Sequence, residues 1–233
     1  GLAGGTLRIV HMFLTPIWGT RHVVSISTAS LLVPLVGWYF AVQNPDTPYW
    51  LFLLLAFLAG LGGGNFSSFM PSTSLFFPKR KLGTALAIQA GIGNFGVSLV
   101  QFITPWVIGF GLLGSAQVFT KKKGAPPADI WLQNALLIWI PFVILFALLA
   151  WFRLKSVPVV ANMREQRDIF REKHTYTMTS LYLMTFGLFS GFAAAFPVLI
   201  ANQFGDFDNP PDALTYAFIG PLVGSIMRIV AGP

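Results

Sequence analysis

Seven stretches of about 20 predominantly apolar residues constrain this chain more than any other feature, because each is long enough for a helix to cross the hydrocarbon core of a bilayer. They run Leu2–Trp18, Val23–Val42, Tyr49–Phe69, Thr84–Phe110, Ile130–Phe152, Tyr176–Ala201 and from Ala213 to the end. In hydrocarbon the backbone must satisfy its own hydrogen bonds, which a helix does within one segment. An all-α membrane protein is therefore expected. Only 10% of residues are charged, against about 25% in a typical soluble domain, so a soluble enzyme is excluded. The mean hydropathy of +0.68 excludes a disordered chain. There is no cysteine, hence no disulfide framework and no thiolate metal site. The chain opens at Gly1 and stops at Pro233, both within apolar runs, and is expected to be part of a longer protein.

The flanks agree with the spans. Trp18, Trp38, Tyr39, Tyr49, Trp50, Trp131 and Trp151 lie near span ends, where interfacial aromatic side chains belong. Gln43-Asn44-Pro45-Asp46 and Asp208-Asn209-Pro210-Pro211 carry turn chemistry. The net charge of +7 is no sign of a nucleic-acid partner, because the basic residues sit at membrane flanks. Ten lie on one side, at Arg21, Lys79–Lys81 and along Arg153–Lys173, and three on the other, at Lys121–Lys123. The positive-inside rule makes the loops at 19–22, 78–83 and 153–175 cytoplasmic. The connector from Arg153 to Thr175 is expected to be a linker with some helix.

Two of the fifteen basic residues remain, Arg8 and Arg228, and both lie inside spans, whereas all eight acidic residues lie in loops. A charge near the bilayer centre costs about 2.5–3.5 kcal/mol on insertion scales and by default marks a functional site. Snorkelling to an interface is the alternative, and the local sequence counts against it. Gly4-Gly5-Thr6-Leu7-Arg8-Ile9-Val10 and Gly224-Ser225-Ile226-Met227-Arg228-Ile229-Val230 both read Gly-x-x-[Leu/Met]-Arg-Ile-Val, 220 residues and six spans apart. That is the signature of a parallel repeat of two six-helix halves, with the binding site between the halves near the midplane. Two permanently charged guanidinium groups without a carboxylate call for a small anion, and their planar N–H forks suit a planar oxyanion.

Polar and glycine stripes lie on the other spans. Gly91-Ile92-Gly93-Asn94-Phe95-Gly96 matches a dinucleotide fingerprint as text, but no strand precedes it and no acid follows about 20 residues on. Close helix packing through small residues explains the glycines there and at Gly60-x-x-x-Gly64. Asn94, Ser98 and Gln101 form a polar stripe, which is either an inter-helix hydrogen-bond row or a cavity lining. Thr175, Thr179, Tyr182 and Phe186 share one face of the sixth span. His11, one turn after Arg8, is either a packing residue or a proton-relay element. No His, Asp or Glu cluster has metal-ligand spacing, and no metal or cofactor is expected.

The run Gly62-Gly63-Gly64-Asn65-Phe66, the run Ala90-Gly91-Ile92-Gly93-Asn94-Phe95-Gly96 and the paired Gly-x-x-x-Arg helices resemble the nitrate/nitrite porter family of the major facilitator superfamily. The second run is similar to that family's nitrate signature on its fifth helix. The resemblance covers the whole chain and implies a bundle of which about seven of twelve helices are present. Residues 1–152 would be an N-terminal half lacking its first helix, 153–175 a cytoplasmic linker, and 176–233 the start of a C-terminal half. It implies that Arg8 and Arg228 bind the anion, that Asn94 lines the site, that Tyr182 bonds to substrate, and that Phe66 and Phe186 cover the ion's two faces. The loop Trp18-Gly19-Thr20-Arg21-His22 departs from the superfamily's pattern of one acid and several bases.

The implied protein is no enzyme. It is a monomer of the bacterial inner membrane that exchanges nitrate for nitrite by alternating access, without nucleic-acid partners. Exchange is favoured because an empty site holds two like charges. Proton-coupled nitrate symport and transport of another small anion are the alternatives within that class. A membrane receptor would need an output domain, and a membrane enzyme a cluster of acid, base or nucleophile within the spans.

Overall fold

Gly19 turns the chain back on itself. In this computed structural model, which describes residues 2–120, 127–157, 168–207 and 211–231, helices α1 (Leu2–Ser30) and α2 (Leu32–Ala41) form one apolar run, Ala3–Ala41, of 39 residues. Straight, that run would measure about 58 Å, nearly twice the roughly 30 Å hydrocarbon core. It is not straight, because Gly19 has φ 78° and ψ 154°.

Lateral contacts give the direction of each arm. The next run comprises α3 (Tyr49–Ala59), α4 (Leu61–Gly64) and α5 (Phe66–Ser74). Gly4 abuts Gly63, and His11 and Thr15 reach Ser68, so the arm before Gly19 runs parallel to it. Asn65 reaches Ser27, Gly62 faces Leu31 and Gly37 faces Leu55, so the arm after Gly19 runs antiparallel. The two arms are thus a helical hairpin, and the first two expected spans are both present. Among the described residues six apolar helical runs are long enough to cross a membrane, and the hairpin makes them seven passes.

Helix α6 (Lys79–Val107) follows, then strands β1 (Gln117–Phe119) and β2 (Ala128–Ile130), which pair antiparallel with Gln117 opposite Ile130. Helices α7 (Asn134–Leu137) and α8 (Ile140–Arg153) form the next apolar run. A 3₁₀ turn (Asp168–Arg171) leads into α9 (Lys173–Phe204), and the short α10 (Ala213–Tyr216) into α11 (Ile219–Val230). Lys121–Lys123, Arg164, Arg167 and Asp208 lie outside the described residues.

Three expected boundaries are corrected. The basic triplet Lys79–Lys81 is the first turn of α6 and not a loop. Lys and Arg are good helix formers whose stems can lie along apolar surface while the charges stay in water. The loop expected at 19–22 shrinks to Gly19, with Thr20–His22 already helical. Ile130 belongs to β2, and its run becomes helical only at Asn134. The cause is a polar staple. Gln133 and Asn134 are fully buried, and their amides donate to the carbonyls of Leu113 and Ser115, and of Val107 and Phe110.

Packing is inverted relative to a soluble protein. Large apolar side chains such as Ile17, Phe40, Phe57, Phe146 and Leu183 point outward, while His11, Thr15, Asn65, Ser68, Ser72, Ser98 and Ser225 are buried. Lipid is as apolar as leucine, so helices associate through small residues and hydrogen bonds. A Cβ on Gly60 would meet the Ala3 Cβ at 2.6 Å, and Thr15 of α1 donates to the Ser68 carbonyl of α5 at 3.4 Å.

The contacts divide the chain into two packing units, Gly1–Phe76 with Trp106–Val159, and Phe77–Pro105 with Val160–Pro233. This is a partition by contact. The halves expected at 1–152 and 176–233 are defined by sequence repetition, a separate matter.

Candidate functional site

In the first unit the site is built around Arg8. Gly4, one turn earlier, lies against Gly63 with no side chain between them, and a Cβ on Gly4 would be 3.2 Å from the Gly63 Cα. That approach lets the Arg8 Nε donate to the Gly63 carbonyl at 3.2 Å. It also places the guanidinium carbon 5.1 Å from the centroid of the Phe66 ring, within cation–π range. Arg8 and Phe66 are both half-buried. Arg8 and Phe66 thus lie together, and the Gly63 carbonyl joins them. Gly63 and Phe66 flank Asn65, the one residue between α4 and α5, whose own backbone is αR.

In the second unit Arg228 is half-buried near the end of α11 and makes no ion pair or hydrogen bond with any described residue. On α9 the rings of Tyr182 and Phe186 stack at 5.4 Å with 6° between their planes. Phe189 continues the column, 6.3 Å from Phe186. Its ring lies against Gly224, where a Cβ would be 2.9 Å from Cε2. Gly224 is one turn before Arg228. The aromatic column and the second arginine are thus joined through one glycine contact.

The stripe on α6 divides in two. Ser98 donates to the Phe218 carbonyl at 2.7 Å and Gln101 to the Ala193 carbonyl at 3.0 Å. Both are inter-helix hydrogen bonds. Asn94 is half-buried and makes no hydrogen bond to a described residue. Gly91 packs on Ser225 and Ile229 of α11. Asn94 lies between Gly91 and Ser98 on the face of α6 turned to α11, and its amide is left over. Close packing accounts for Gly91 but not for Gly93 and Gly96, whose Cβ positions meet nothing within 4 Å.

Of the six expected site residues, Arg8 and Phe66 are brought together in the first unit. In the second, Tyr182 and Phe186 are brought together, and Asn94 and Arg228 lie on helices that pack on each other. Three participants were not singled out by sequence. Phe189 is seven residues after Tyr182, so extending the period-3.6 row by one position finds it. The Gly63 carbonyl carries no side-chain signal. Gly224 was read only as part of the repeated motif. His11 is 5% exposed, with Nδ1 3.1 Å from the Ser68 Oγ. Among the described residues no group of three or more His, Asp or Glu side chains is placed to hold a metal ion.

A family model described as Major Facilitator Superfamily matches residues 1–233. The chain is 66% identical over 237 residues to a probable nitrate/nitrite antiporter, NarK2, of Thermus thermophilus, covering 100% of the chain and 53% of that protein. It is 39% identical over 235 residues to the nitrate/nitrite transporter NarU of Escherichia coli K12, covering 99% of the chain and 49% of NarU. It is 28% identical over 235 residues to the nitrite extrusion protein of Bacillus subtilis 168, covering 99% of the chain and 52% of that protein. The chain spans about half the length of these curated relatives.

Proposed function

The chain belongs to the major facilitator superfamily, in its nitrate/nitrite porter family, and on that footing we propose that the whole protein exchanges nitrate for nitrite across a bacterial inner membrane by alternating access. Residues 1–152 and 176–233 belong to its two repeat-related halves, and 153–175 links them on the cytoplasmic side with the basic flanks at 19–22 and 78–83. Arg8 and Arg228 together hold the anion. Phe66 and Phe186 cover its two faces, and Tyr182 and Asn94 donate to its oxygens.

The observation that carries this reading is the seating of the two arginines. Each belongs to one copy of the Gly-x-x-[Leu/Met]-Arg-Ile-Val motif. Arg8 lies over Phe66, and Arg228 lies one turn from the glycine that meets the aromatic column. Aromatic faces pack a planar ion, and guanidinium forks bind it in its plane. No acid lies in the seven spans of this chain, which supports a solute as the source of the negative charge.

Exchange follows from the same charges. Empty, such a site would hold two permanent cations, so reorienting without an anion would be costly. Nitrate moving one way and nitrite the other avoids that state. Proteoliposomes of the full-length protein test it. Labelled nitrate should enter vesicles loaded with nitrite or nitrate and not vesicles loaded with an impermeant buffer anion. Uptake that ignores the internal anion and follows an imposed proton gradient overturns exchange.

A further inference from the structure

His11 lies one turn beyond Arg8 on the same arm of α1, is 5% exposed, and has no part in the exchange just described. Its ring spans the α4–α5 junction from Gly64 to Ser68. At one end the ring fills the space over Gly64, where a Cβ would be 2.9 Å from the imidazole Cδ2. At the other, Nδ1 lies 3.1 Å from the Ser68 Oγ. The Ser68 hydroxyl has a single proton, and it donates that proton to the Asn65 carbonyl at 3.0 Å. With that proton on Asn65, Ser68 accepts from His11, and the tautomer assigned to the imidazole is the one with an Nδ1 proton. Thr15 and Ser72 donate to the Ser68 carbonyl at 3.4 and 2.6 Å, so Ser68 is held from three sides.

Gly64 and Ser68 bracket Phe66, and Gly63 adjoins Gly64. The stretch His11 grips is the one whose carbonyl and ring seat Arg8. We propose that His11 is a positioning residue for the anion site: its bond to Ser68 holds the Gly63–Ser68 stretch against α1 so that the Gly63 carbonyl and the Phe66 ring orient the Arg8 guanidinium. The proposal rests on Arg8 being an anion ligand, as above. It gives the imidazole a donor's task and not a proton-carrier's.

Three substitutions separate these roles, because asparagine places an amide nitrogen as many bonds from Cα as Nδ1 is, whereas glutamine places it one bond further out and phenylalanine has no donor. Nitrate affinity is measured by calorimetry on the purified full-length protein. His11→Phe and His11→Gln should weaken it about three- to tenfold, the value of one neutral hydrogen bond. His11→Asn should restore wild-type affinity and exchange. Ser68→Ala should match His11→Phe, and the double variant should be no worse than either. Should His11→Phe fail to fold, Ser68→Ala and His11→Asn carry the same test, the first weak and the second intact. Wild-type affinity in Ser68→Ala, additive losses in the double variant, or a His11→Asn protein as impaired as His11→Phe would overturn the positioning role. Wild-type nitrate affinity in Arg8→Lys would instead remove the anion-site reading beneath it.

Discussion

Gly63 lies against Gly4 backbone to backbone: a Cβ on Gly63 would stand 2.9 Å from the Gly4 Cα. Real Cβ atoms do not approach so closely, and no side-chain rotation relieves a clash with main chain. Gly63→Ala must therefore push α4 away from the first arm of α1. The carbonyl that accepts from Arg8 moves with it.

The expected outcome for Gly63→Ala is a loss of nitrate exchange larger than its loss of stability. Overpacking of this kind costs about 1–3 kcal/mol. Exchange is measured in proteoliposomes and stability by thermal unfolding in detergent. Gly5→Ala is the control, because a Cβ there meets nothing within 4 Å, and it should leave both readouts unchanged.

Gly19→Ala should destabilise the protein wherever the anion site stands. The position combines φ 78° with a Cβ site 2.7 Å from the Ser156 Oγ. A positive φ with extended ψ is essentially confined to glycine and costs another residue about 1–3 kcal/mol. Ser156→Gly removes the steric part of the clash and leaves the backbone part. The double variant should accordingly recover some of the thermal stability lost in Gly19→Ala and not all of it.

The membrane passes were legible because each is a long apolar run, and Trp18-Gly19-Thr20-Arg21-His22 stood out as the break between two of them. What the spacing could not give was partners. Asn94, Ser98 and Gln101 share a face by arithmetic, but only the placement of α9 and α11 tells that Ser98 and Gln101 hold helices together and Asn94 does not. The β1–β2 pairing was missed because what surrounds it is side-chain bonding: Gln117 and Gln133 bond to each other, and Gln133 to connector carbonyls. Composition marks such residues as polar and says nothing of where they reach. The Gly63 carbonyl is invisible for the same reason, since main-chain acceptors occur at every residue and only geometry selects one.

The division of that stripe predicts opposite phenotypes. Gln101→Leu should lower thermal stability by about 0.6 kcal/mol, with about 1.7 as the upper bound for an inter-helix hydrogen bond in a bilayer, and leave nitrate affinity unchanged. Asn94→Ala should leave the melting temperature unchanged and weaken nitrate binding. Calorimetry and unfolding on the same two variants check both. A stability loss in Asn94→Ala equal to that in Gln101→Leu would make Asn94 a third packing residue.

Arg8→Lys and Arg228→Lys should each abolish exchange while preserving fold. Lysine keeps the charge and the stem, so the cost of placing a cation in the span is unchanged. It gives up the planar fork that binds two oxygens of a planar ion at once. For Arg8 it also gives up the Nε–H that anchors the group to the Gly63 carbonyl while the rest of the guanidinium faces Phe66. Each hydrogen bond to a charged group lost with the fork costs about 1.5–3 kcal/mol, which is about tenfold or more in affinity. The two positions should differ in stability. Arg8→Lys should unfold at a lower temperature, since it breaks a bond between α1 and α4. Arg228→Lys should not, since Arg228 bonds to no described residue. Thermal unfolding without nitrate reads that difference. With saturating nitrate, wild type should gain stability by binding linkage and both lysine variants should not.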